Sequence, residues 1–324
     1  MADRPADDPT ASDPQPDGRS DNRADVRDFL TSRRARLTPA EVGLAPGGRR
    51  RVPGLRREEV ALLAGVSTDW YARLEKGHIT GVSEDVLEAV ARALRLDDTE
   101  RTYLFDLARA ARPASRPARR PKRVEVPPDV PWMLDAMTMS AAFVTDGRMD
   151  LLATNALARA MYAPMFASAL TAEHGRANLA RFHFLDPSAH EFYADRDAAL
   201  RTTVALLRAE AGRFPRDRAL RELVGELSTL SNEFRTLWAA HDVQIRHHGV
   251  KRFRHPQVGP LELHYRALDL PASPPARHTL TIYTPEPGTE AEERFRLLAS
   301  LAATDAATDA ATDAATSDAV DDTR

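Results

Sequence analysis

A short segment near residue 70 carries polar side chains at the spacing of one helix face. In GVSTDWYARLEKG (residues 65–77), Tyr71 and Leu74 lie three residues apart and can face a core together. The opposite face then presents Ser67, Thr68, Asp69 and Arg73. Hydroxyl, carboxylate and guanidinium groups in such a row can contact base edges and phosphates. The chemistry indicated is recognition of a polyanion.

The segment follows a second helical pattern, so that REEVALLAGVSTDWYARLEKG (residues 57–77) can be considered as one unit. Gly65 can adopt the left-handed conformation that ends a helix, and Ser67 is a good N-cap for the next helix. Ala61 is small enough for the second helix to cross close by. Two helices joined by a short glycine-containing turn form a helix-turn-helix. The sequence therefore predicts a DNA-binding unit.

The predicted DNA contacts extend into the loop before this unit. Gly47 and Gly48 make the loop pliant, and an arginine run beside them could enter a narrow minor groove or neutralise phosphates. Asp69 could accept a hydrogen bond from cytosine or cap its own helix. The candidate DNA-binding residues are Arg49, Arg50, Arg51, Arg56, Arg57, Ser67, Thr68, Asp69 and Arg73.

Charge is unevenly distributed along the 324 residues, whose net charge is −3. Residues 23–123 carry 22 Lys and Arg against 14 Asp and Glu, a net charge of +8. Residues 1–22 and 302–324 are acidic segments. A cationic segment between acidic ones indicates a polyanionic partner for that segment.

The composition predicts five segments. Residues 1–22 and 302–324 are expected to be disordered acidic tails, and the proline- and arginine-rich residues 112–123 an extended linker. The remainder forms a helical DNA-binding domain at 24–111 and a mixed domain at 124–301. In the mixed domain, AAFVTDGRMDLLATN predicts a hairpin around Asp146-Gly147. KRFRH, PLELHYRAL and HTLTIYT are three further strand candidates. Helical patterns cover about 188–212, 217–229 and 231–242, and a final helix is expected near 289–302.

Large apolar side chains in the mixed domain could form either an ordinary core or the wall of a ligand pocket. For most of them the core is the commoner role. Asn155, Asn178, Arg181 and His241 could hold a polar head group, although Asn155 is also well placed to cap a helix. The candidate ligand-binding residues are Phe143, Asn155, Met161, Tyr162, Phe182, Trp238, His241 and Tyr265.

An enzymatic function has little support from the sequence. The chain has no cysteine, which excludes disulfides and thiolate chemistry, and it contains no HExxH, GxGxxG or Walker-type motif. Ser231, His241 and Asp242 could be assembled into a triad, but such residues occur by chance in most chains. The run HHGVKRFRH could bind metal, but adjacent histidines on a strand point apart, and a solvated cationic strand edge is favoured. No enzyme, cofactor or metal is predicted.

The quoted motifs resemble those of the lambda-repressor-like XRE family, notably EVALLAGVS, LEKG and VLEAVARAL. More specifically, GLAPGGRRRVPGLRREEVALLAGVSTDWYARLEKG, NLARFHFLDP and FRHPQVGPLEL resemble the actinobacterial MmyB-like branch. The resemblance implies a multi-domain fold, with a five-helix helix-turn-helix domain followed by a PAS-like α+β sensor domain. It also implies that Arg57 clasps phosphate, that Ser67, Thr68, Asp69 and Arg73 contact bases or phosphates, and that the second domain binds a fatty-acid-like ligand.

The expected partners are double-stranded DNA, a second copy of the chain and a small apolar ligand. A homodimer is expected because two-fold symmetry doubles the contact to a short half-site. No apolar run reaches membrane-spanning length, and the first residues lack a hydrophobic signal region, so a bacterial cytoplasmic, nucleoid-associated location is predicted. The alternative is a ligand-independent DNA-bound scaffold whose second domain only dimerises or recruits a protein.

Overall fold

The computed structural model describes residues 18–45, 54–112, 126–240, 246–270 and 278–304. The chain divides into two compact units. Unit 1 comprises residues 1–94 with 107–112, and unit 2 comprises residues 95–106 with 113–324.

The described part of residues 18–112 contains helices joined by turns and loops, and no strand. Its elements are α1 (Gly18–Arg36), a 3-10 turn (Ala40–Val42), α2 (Arg57–Ala64), α3 (Thr68–Glu75), α4 (Glu84–Ala93) and α5 (Asp98–Ala111). The expected domain start at residue 24 falls inside α1. Asn22 explains the longer helix, because its buried side chain donates to the carbonyl of Leu107 at 3.3 Å.

The turn between α2 and α3 follows from two residues. Gly65 has φ +67°, and its N–H reaches the carbonyls of Ala61 and Leu62, which ends α2. Ser67 then accepts a hydrogen bond from the backbone N–H of Trp70 at 3.1 Å and begins α3. The helix-turn-helix predicted from these residues is confirmed. The Ser67 hydroxyl caps the helix. The capping role that was considered for Asp69 is therefore filled by Ser67.

Unit 2 contains a sheet and many short helices. The helices are α6 (Asp129–Asp135), α7 (Ala156–Met161), α8 (Ala163–Phe166), α9 (Ala169–His174), α10 (Leu179–Leu185), α11 (Ser188–Phe192), α12 (Arg196–Arg213), α13 (Arg218–Leu230), α14 (Asn232–Ala239) and α15 (290–304). The strands are β1 (Ala141–Asp146), β2 (Leu151–Thr154), β3 (His248–His255), β4 (Gly259–Leu270) and β5 (His278–Pro285).

The five strands form one antiparallel sheet in the order β2-β1-β5-β4-β3. The predicted β1–β2 hairpin is confirmed. At its turn, the Asp146 carboxylate accepts from the backbone N–H groups of Arg148 and Asp150, at 2.8 and 3.1 Å. The last strand, β5, lies between β1 and β4, and so joins the hairpin to the rest of the sheet.

Each face of the sheet has its own apolar core. On one face, here called the inner face, Phe143, Tyr265 and Tyr283 pack with residues of α7, α10, α11 and α12. On the outer face, Ala142, Val144 and Leu280 pack against Val130 and Leu134 of α6. This α+β arrangement of a five-stranded sheet with helices is the PAS-like fold class expected.

The helix predicted across residues 188–212 is interrupted. Tyr193 forms a bridge with Phe253, and the Ala194 N–H donates to the carbonyl of Arg252 at 3.0 Å, so this short segment pairs with the edge of β3. The Asp195 carboxylate then accepts from the N–H of Ala198 at 3.1 Å and begins α12. Pairing with a distant strand therefore overrides local helical periodicity.

Candidate functional site

The outer face of α3 is the first candidate site. Ser67, Thr68, Asp69 and Arg73 are all exposed, while Tyr71 and Leu74 are buried in the core of unit 1. The polar row that sequence spacing predicted therefore faces solvent. Among the described residues, the side chains of Thr68, Asp69 and Arg73 form no hydrogen bond, whereas that of Ser67 caps α3.

Glu75 ties the first turn of α2 to the end of α3. The side chain of Glu75 is 1% exposed and accepts from Arg57 Nε at 2.9 Å, from Arg34 Nε at 2.8 Å and from Thr31 at 3.4 Å. Burial by itself would raise the pKa of Glu75, but the hydrogen bonds from Arg34 and Arg57 outweigh burial and lower it. Two guanidinium groups share one carboxylate, so a positive charge remains.

That remaining charge is accessible at Arg57. The side chain of Arg57 is 50% exposed, whereas that of Arg34 is 15% exposed and also donates to the carbonyl of Leu55 at 2.7 Å. Arg57 is therefore fixed on one side by Glu75 and open to solvent on the other. A guanidinium held in this way keeps N–H groups for an external anion.

The other predicted arginines of this region have different positions. The backbone N–H of Arg56 donates to Glu59 at 2.6 Å, and its side chain lies 3.3 Å from Glu58. Arg56 is the N-cap residue of α2. Its partly exposed side chain is paired with the exposed carboxylate of Glu58. Arg49, Arg50 and Arg51 lie outside the described residues.

The second candidate site is a cavity of about 170 Å³ within unit 2. Its floor is the inner face of the sheet, formed by β1, β3, β4 and β5, and its roof is formed by α10 and α12. Apolar groups from both layers line it: Phe143, Met149, Tyr162, Leu179, Ala199, Leu206, Ala209, Tyr265, Ala267 and Tyr283. A cavity with such walls suits a largely apolar ligand.

Three of the predicted ligand residues line this cavity, namely Phe143, Tyr162 and Tyr265. Met161 and Phe182 are buried in the surrounding core but do not line it. Trp238 stacks on Phe234 with ring centroids 5.4 Å apart, also away from the cavity. His241 lies outside the described residues.

Both polar atoms of the Asn155 side chain form hydrogen bonds to the backbone. Its side-chain oxygen accepts from the N–H groups of Ala158 at 2.8 Å and Ala142 at 3.1 Å. Its side-chain nitrogen donates to the carbonyls of Ser140 at 2.7 Å and Met137 at 2.9 Å. The residue caps α7 and fastens it to the start of β1. It does not line the cavity, so the structure supports the capping alternative over the head-group alternative.

Asn178 and Arg181 are also committed elsewhere. The Asn178 side chain caps α10 through the N–H of Arg181 at 3.0 Å and donates to Asp150 at 2.8 Å. The guanidinium of Arg181 forms a two-pronged pair with Glu226, with the shorter distance 2.7 Å. Neither side chain reaches the cavity wall.

Lys251 is a cavity residue that the sequence analysis missed. The run KRFRH was assigned to a solvated strand edge, and this is wrong for alternate residues. Lys251, Phe253 and His255 face inward, whereas Arg252 faces outward and pairs with Glu262 at 2.6 Å. Lys251 Nζ donates to the Tyr283 hydroxyl at 3.1 Å and lies 5.0 Å from the centre of the Tyr265 ring. Strand alternation in KRFRH was the signal available.

Polar side chains continue from Lys251 through the wall of the cavity. The Tyr162 hydroxyl donates to the Tyr283 hydroxyl at 3.3 Å. The Tyr193 hydroxyl lies 2.7 Å from His183 Nε2. Burial, then the charges of Lys251 and Arg196, lower the pKa of His183 to about 3, so this imidazole is neutral.

Two negative findings concern the residues that the structure describes. Among them, no group of three His, Cys, Asp or Glu is placed to hold a metal ion. No helix in the described ranges is long and apolar enough to cross a membrane.

A helix-turn-helix with an exposed polar face and an α+β unit with an apolar cavity together define a DNA-binding transcription regulator with a ligand-binding domain. The family model of the MmyB-like transcription regulator ligand binding domain matches residues 126–298, and a helix-turn-helix domain model matches residues 25–104. The chain belongs to the MmyB-like family. Neither matched description is that of an enzyme. No curated relative matches the chain.

Proposed function

We propose that this regulator binds specific DNA sites as a homodimer at the nucleoid, and that a fatty-acid-like ligand in the cavity changes its DNA affinity. The observation that carries the proposal is the apolar cavity in a chain that also has an exposed helix-turn-helix face. The proposed working parts are a DNA-binding domain at 24–111, a linker at 112–123 and a ligand-binding domain at 124–301.

The DNA contact is proposed to use two kinds of residue. Arg57 supplies a phosphate contact because Glu75 fixes its guanidinium while half of the side chain remains exposed. Ser67, Thr68, Asp69 and Arg73 supply the contacts to base edges or adjoining phosphates, because they form the exposed row of α3. Arg49, Arg50, Arg51 and Arg56 are proposed to add backbone contacts.

The size of the cavity limits how a ligand fits. A volume of about 170 Å³ is similar to that of an engineered apolar cavity of about 150 Å³ that holds benzene. A short acyl chain therefore matches the cavity, and a longer chain must leave through the mouth or displace side chains. Acids of six to twelve carbons, roughly, are the first ligands to test on this ground.

The test is operator affinity of the full-length protein at fixed salt, after an operator has been selected from random DNA. Affinity is measured with the protein stripped of ligand and then loaded with medium- or long-chain fatty acids, with occupancy checked by mass spectrometry. Coupling between two sites is typically about 1–3 kcal/mol, so a change of roughly 5- to 150-fold is expected. DNA must change fatty-acid affinity by the same factor, because the coupling is reciprocal.

The competing function is a scaffold whose second domain only dimerises or recruits a protein. It predicts equal operator affinity for loaded and stripped protein. Equal affinities with confirmed occupancy would therefore reject ligand control and leave the scaffold function.

A further inference from the structure

Lys251 places a cation in an apolar cavity without a matching carboxylate. No acidic side chain of the described residues lies within ion-pair distance of its Nζ, and its contacts are the Tyr283 hydroxyl and the Tyr265 and Tyr283 rings. The chain has three lysines in all. A partly buried ammonium group without a counter-charge is costly unless an anion joins it.

We propose that the cavity binds its ligand by an anionic head group, a carboxylate, held by Lys251 Nζ and the Tyr283 hydroxyl. The proposal rests on the proposed ligand-binding function and deepens it, because it specifies the charge of the ligand and its orientation. Alcohols, esters and amines with the same apolar chain are then poor ligands.

The direction of the hydrogen bonds favours an acceptor at this position. Thr203 donates its single hydroxyl hydrogen to the carbonyl of Ala199 at 3.0 Å, so His183 Nδ1, 2.6 Å from the Thr203 oxygen, carries the proton of the neutral ring. His183 Nε2 must then accept from the Tyr193 hydroxyl. The Tyr162 hydroxyl donates to the Tyr283 oxygen at 3.3 Å, which leaves the Tyr283 hydrogen for an acceptor in the cavity.

Lys251 is the second donor to the Tyr283 oxygen. An ammonium group has three N–H donors and no acceptor, and one N–H is used by the Tyr283 oxygen. A ligand that meets Lys251 must therefore offer acceptor atoms, and a carboxylate offers two oxygens. The Tyr283 hydroxyl can rotate its hydrogen toward the same carboxylate.

The acidic residues that line the cavity are Asp146, Glu210 and Asp269, at a different position from Lys251. Asp146 ends β1 and pairs in register with His278. Asp269 is four residues from Tyr265 along β4, which corresponds to about 13 Å at the rise of a strand. Asp269 pairs in register with Thr279, while Tyr265 pairs with Tyr283. Glu210 lies 3.4 Å from Arg213. Of the arginines that also line the cavity, Arg213 is paired with Glu210 and Arg246 is exposed. An anionic head group is therefore attracted toward Lys251 and away from Asp146 and Asp269.

The experiment compares octanoate with 1-octanol, which share an eight-carbon chain and differ in charge. Binding to the full-length stripped protein is measured by calorimetry for the wild type, Lys251→Met, Lys251→Arg and Tyr283→Phe. Arg252→Met is the matched control, because it removes a cation from the next residue of β3, whose side chain faces outward. The wild type is expected to bind octanoate at least tenfold more tightly than 1-octanol.

Lys251→Met should abolish this preference, because it lowers the affinity for octanoate at least tenfold and leaves the affinity for 1-octanol unchanged. Tyr283→Phe should weaken octanoate several-fold, Lys251→Arg should keep the preference for the acid, and Arg252→Met should match the wild type. An unchanged ratio of the two affinities in Lys251→Met, or no preference in the wild type, would overturn the head-group proposal. If neither compound binds the wild type, the proposed ligand function is overturned along with it.

Thermal unfolding without ligand separates this role from a structural one. A lysine that only supports the fold lowers the melting temperature when it is replaced. An ammonium group without a carboxylate partner does not, so stripped Lys251→Met should melt no lower than the stripped wild type, and octanoate should raise the melting temperature of the wild type only. A lower melting temperature of stripped Lys251→Met, with an unchanged octanoate shift, would contradict the proposal.

Discussion

Arg57 in the first turn of α2 and Glu75 in the last turn of α3 meet at 2.9 Å, while half of the arginine side chain remains open to solvent. The pair orients a cation beside the exposed row of α3. The carboxylate thus acts on both the stability of the helix-turn-helix and the position of one of its proposed DNA contacts.

Replacing Arg57 should weaken DNA binding without unfolding the domain. Arg57→Ala leaves Glu75 paired with Arg34, so the melting temperature should change little, while affinity falls for specific and random DNA alike. The slope of log affinity against log salt should decrease by about one, because one phosphate contact is lost. Arg92→Ala is the control, since Arg92 is an exposed arginine of α4 whose nearest acid is Glu88 at 3.8 Å. Equal slopes for the wild type and Arg57→Ala would reject the phosphate role.

Arg73 should affect sequence preference. If its exposed side chain contacts a base edge, Arg73→Ala costs about 1–3 kcal/mol on the selected operator and relaxes preference at one base-pair position. Selection of random DNA with the wild type and with Arg73→Ala measures this directly. If Arg73→Ala instead lowers the affinity equally for all DNA sequences, Arg73 contacts the phosphate backbone.

Glu75 should make the stability of the DNA-binding domain dependent on pH. Its pKa in the folded protein is lowered from the ordinary value of 4.5, so its contribution is present above pH 4.5 and is lost as pH falls through the folded value. Glu75→Gln leaves the partly buried Arg34 without its counter-charge, which should cost about 3 kcal/mol near pH 7. The free energy of unfolding, measured with urea, should differ less between Glu75→Gln and the wild type as the pH falls below 4.5. A difference that is independent of pH would show that the charge of Glu75 is immaterial.

Asn155 should matter for stability through four hydrogen bonds. Asn155→Ala removes the cap of α7 and leaves the Ala142 N–H without its side-chain acceptor, which should cost roughly 2–4 kcal/mol. Asn232→Ala is a matched control, because the Asn232 side chain is exposed and, among the described residues, accepts a hydrogen bond only from Arg235, at 2.9 Å. Denaturant unfolding compares the two variants, and equal stabilities would refute the structural role.

Local signals in the sequence predicted the helix-turn-helix and the β1–β2 hairpin. Gly65, Ser67 and the spacing of Tyr71 and Leu74 act within one or two turns of helix, so pattern and structure agree. Asn155 was likewise recognisable as a cap from its position before an apolar helix. The earlier start of α1 was missed because Asn22 is held by Leu107, which is distant in sequence.

The cavity could be predicted only in part, because it depends on pairing between distant strands. Which alternate residues of β3 face inward is fixed by its register with β4, where Lys251 pairs with Leu263. The sequence pattern also does not distinguish an aromatic residue in a packed core from one that lines a cavity. Phe143 and Phe182 were therefore both predicted to bind ligand. The structure separates them, since Phe143 lines the cavity and Phe182 does not.

The position of β5 at the centre of the sheet sets an order of events during protein synthesis. β5 pairs with β1 on one side and β4 on the other, so the sheet and the cavity floor are incomplete until residue 285 has left the ribosome. The helices that carry the proposed DNA contacts, α2 and α3, end at residue 75 and are translated about 210 residues earlier. At roughly 5–20 residues per second, synthesis of the chain from these helices to the end of β5 takes about 10–40 s. During that interval, the proposed ligand has no complete site through which to act on the nascent DNA-binding domain.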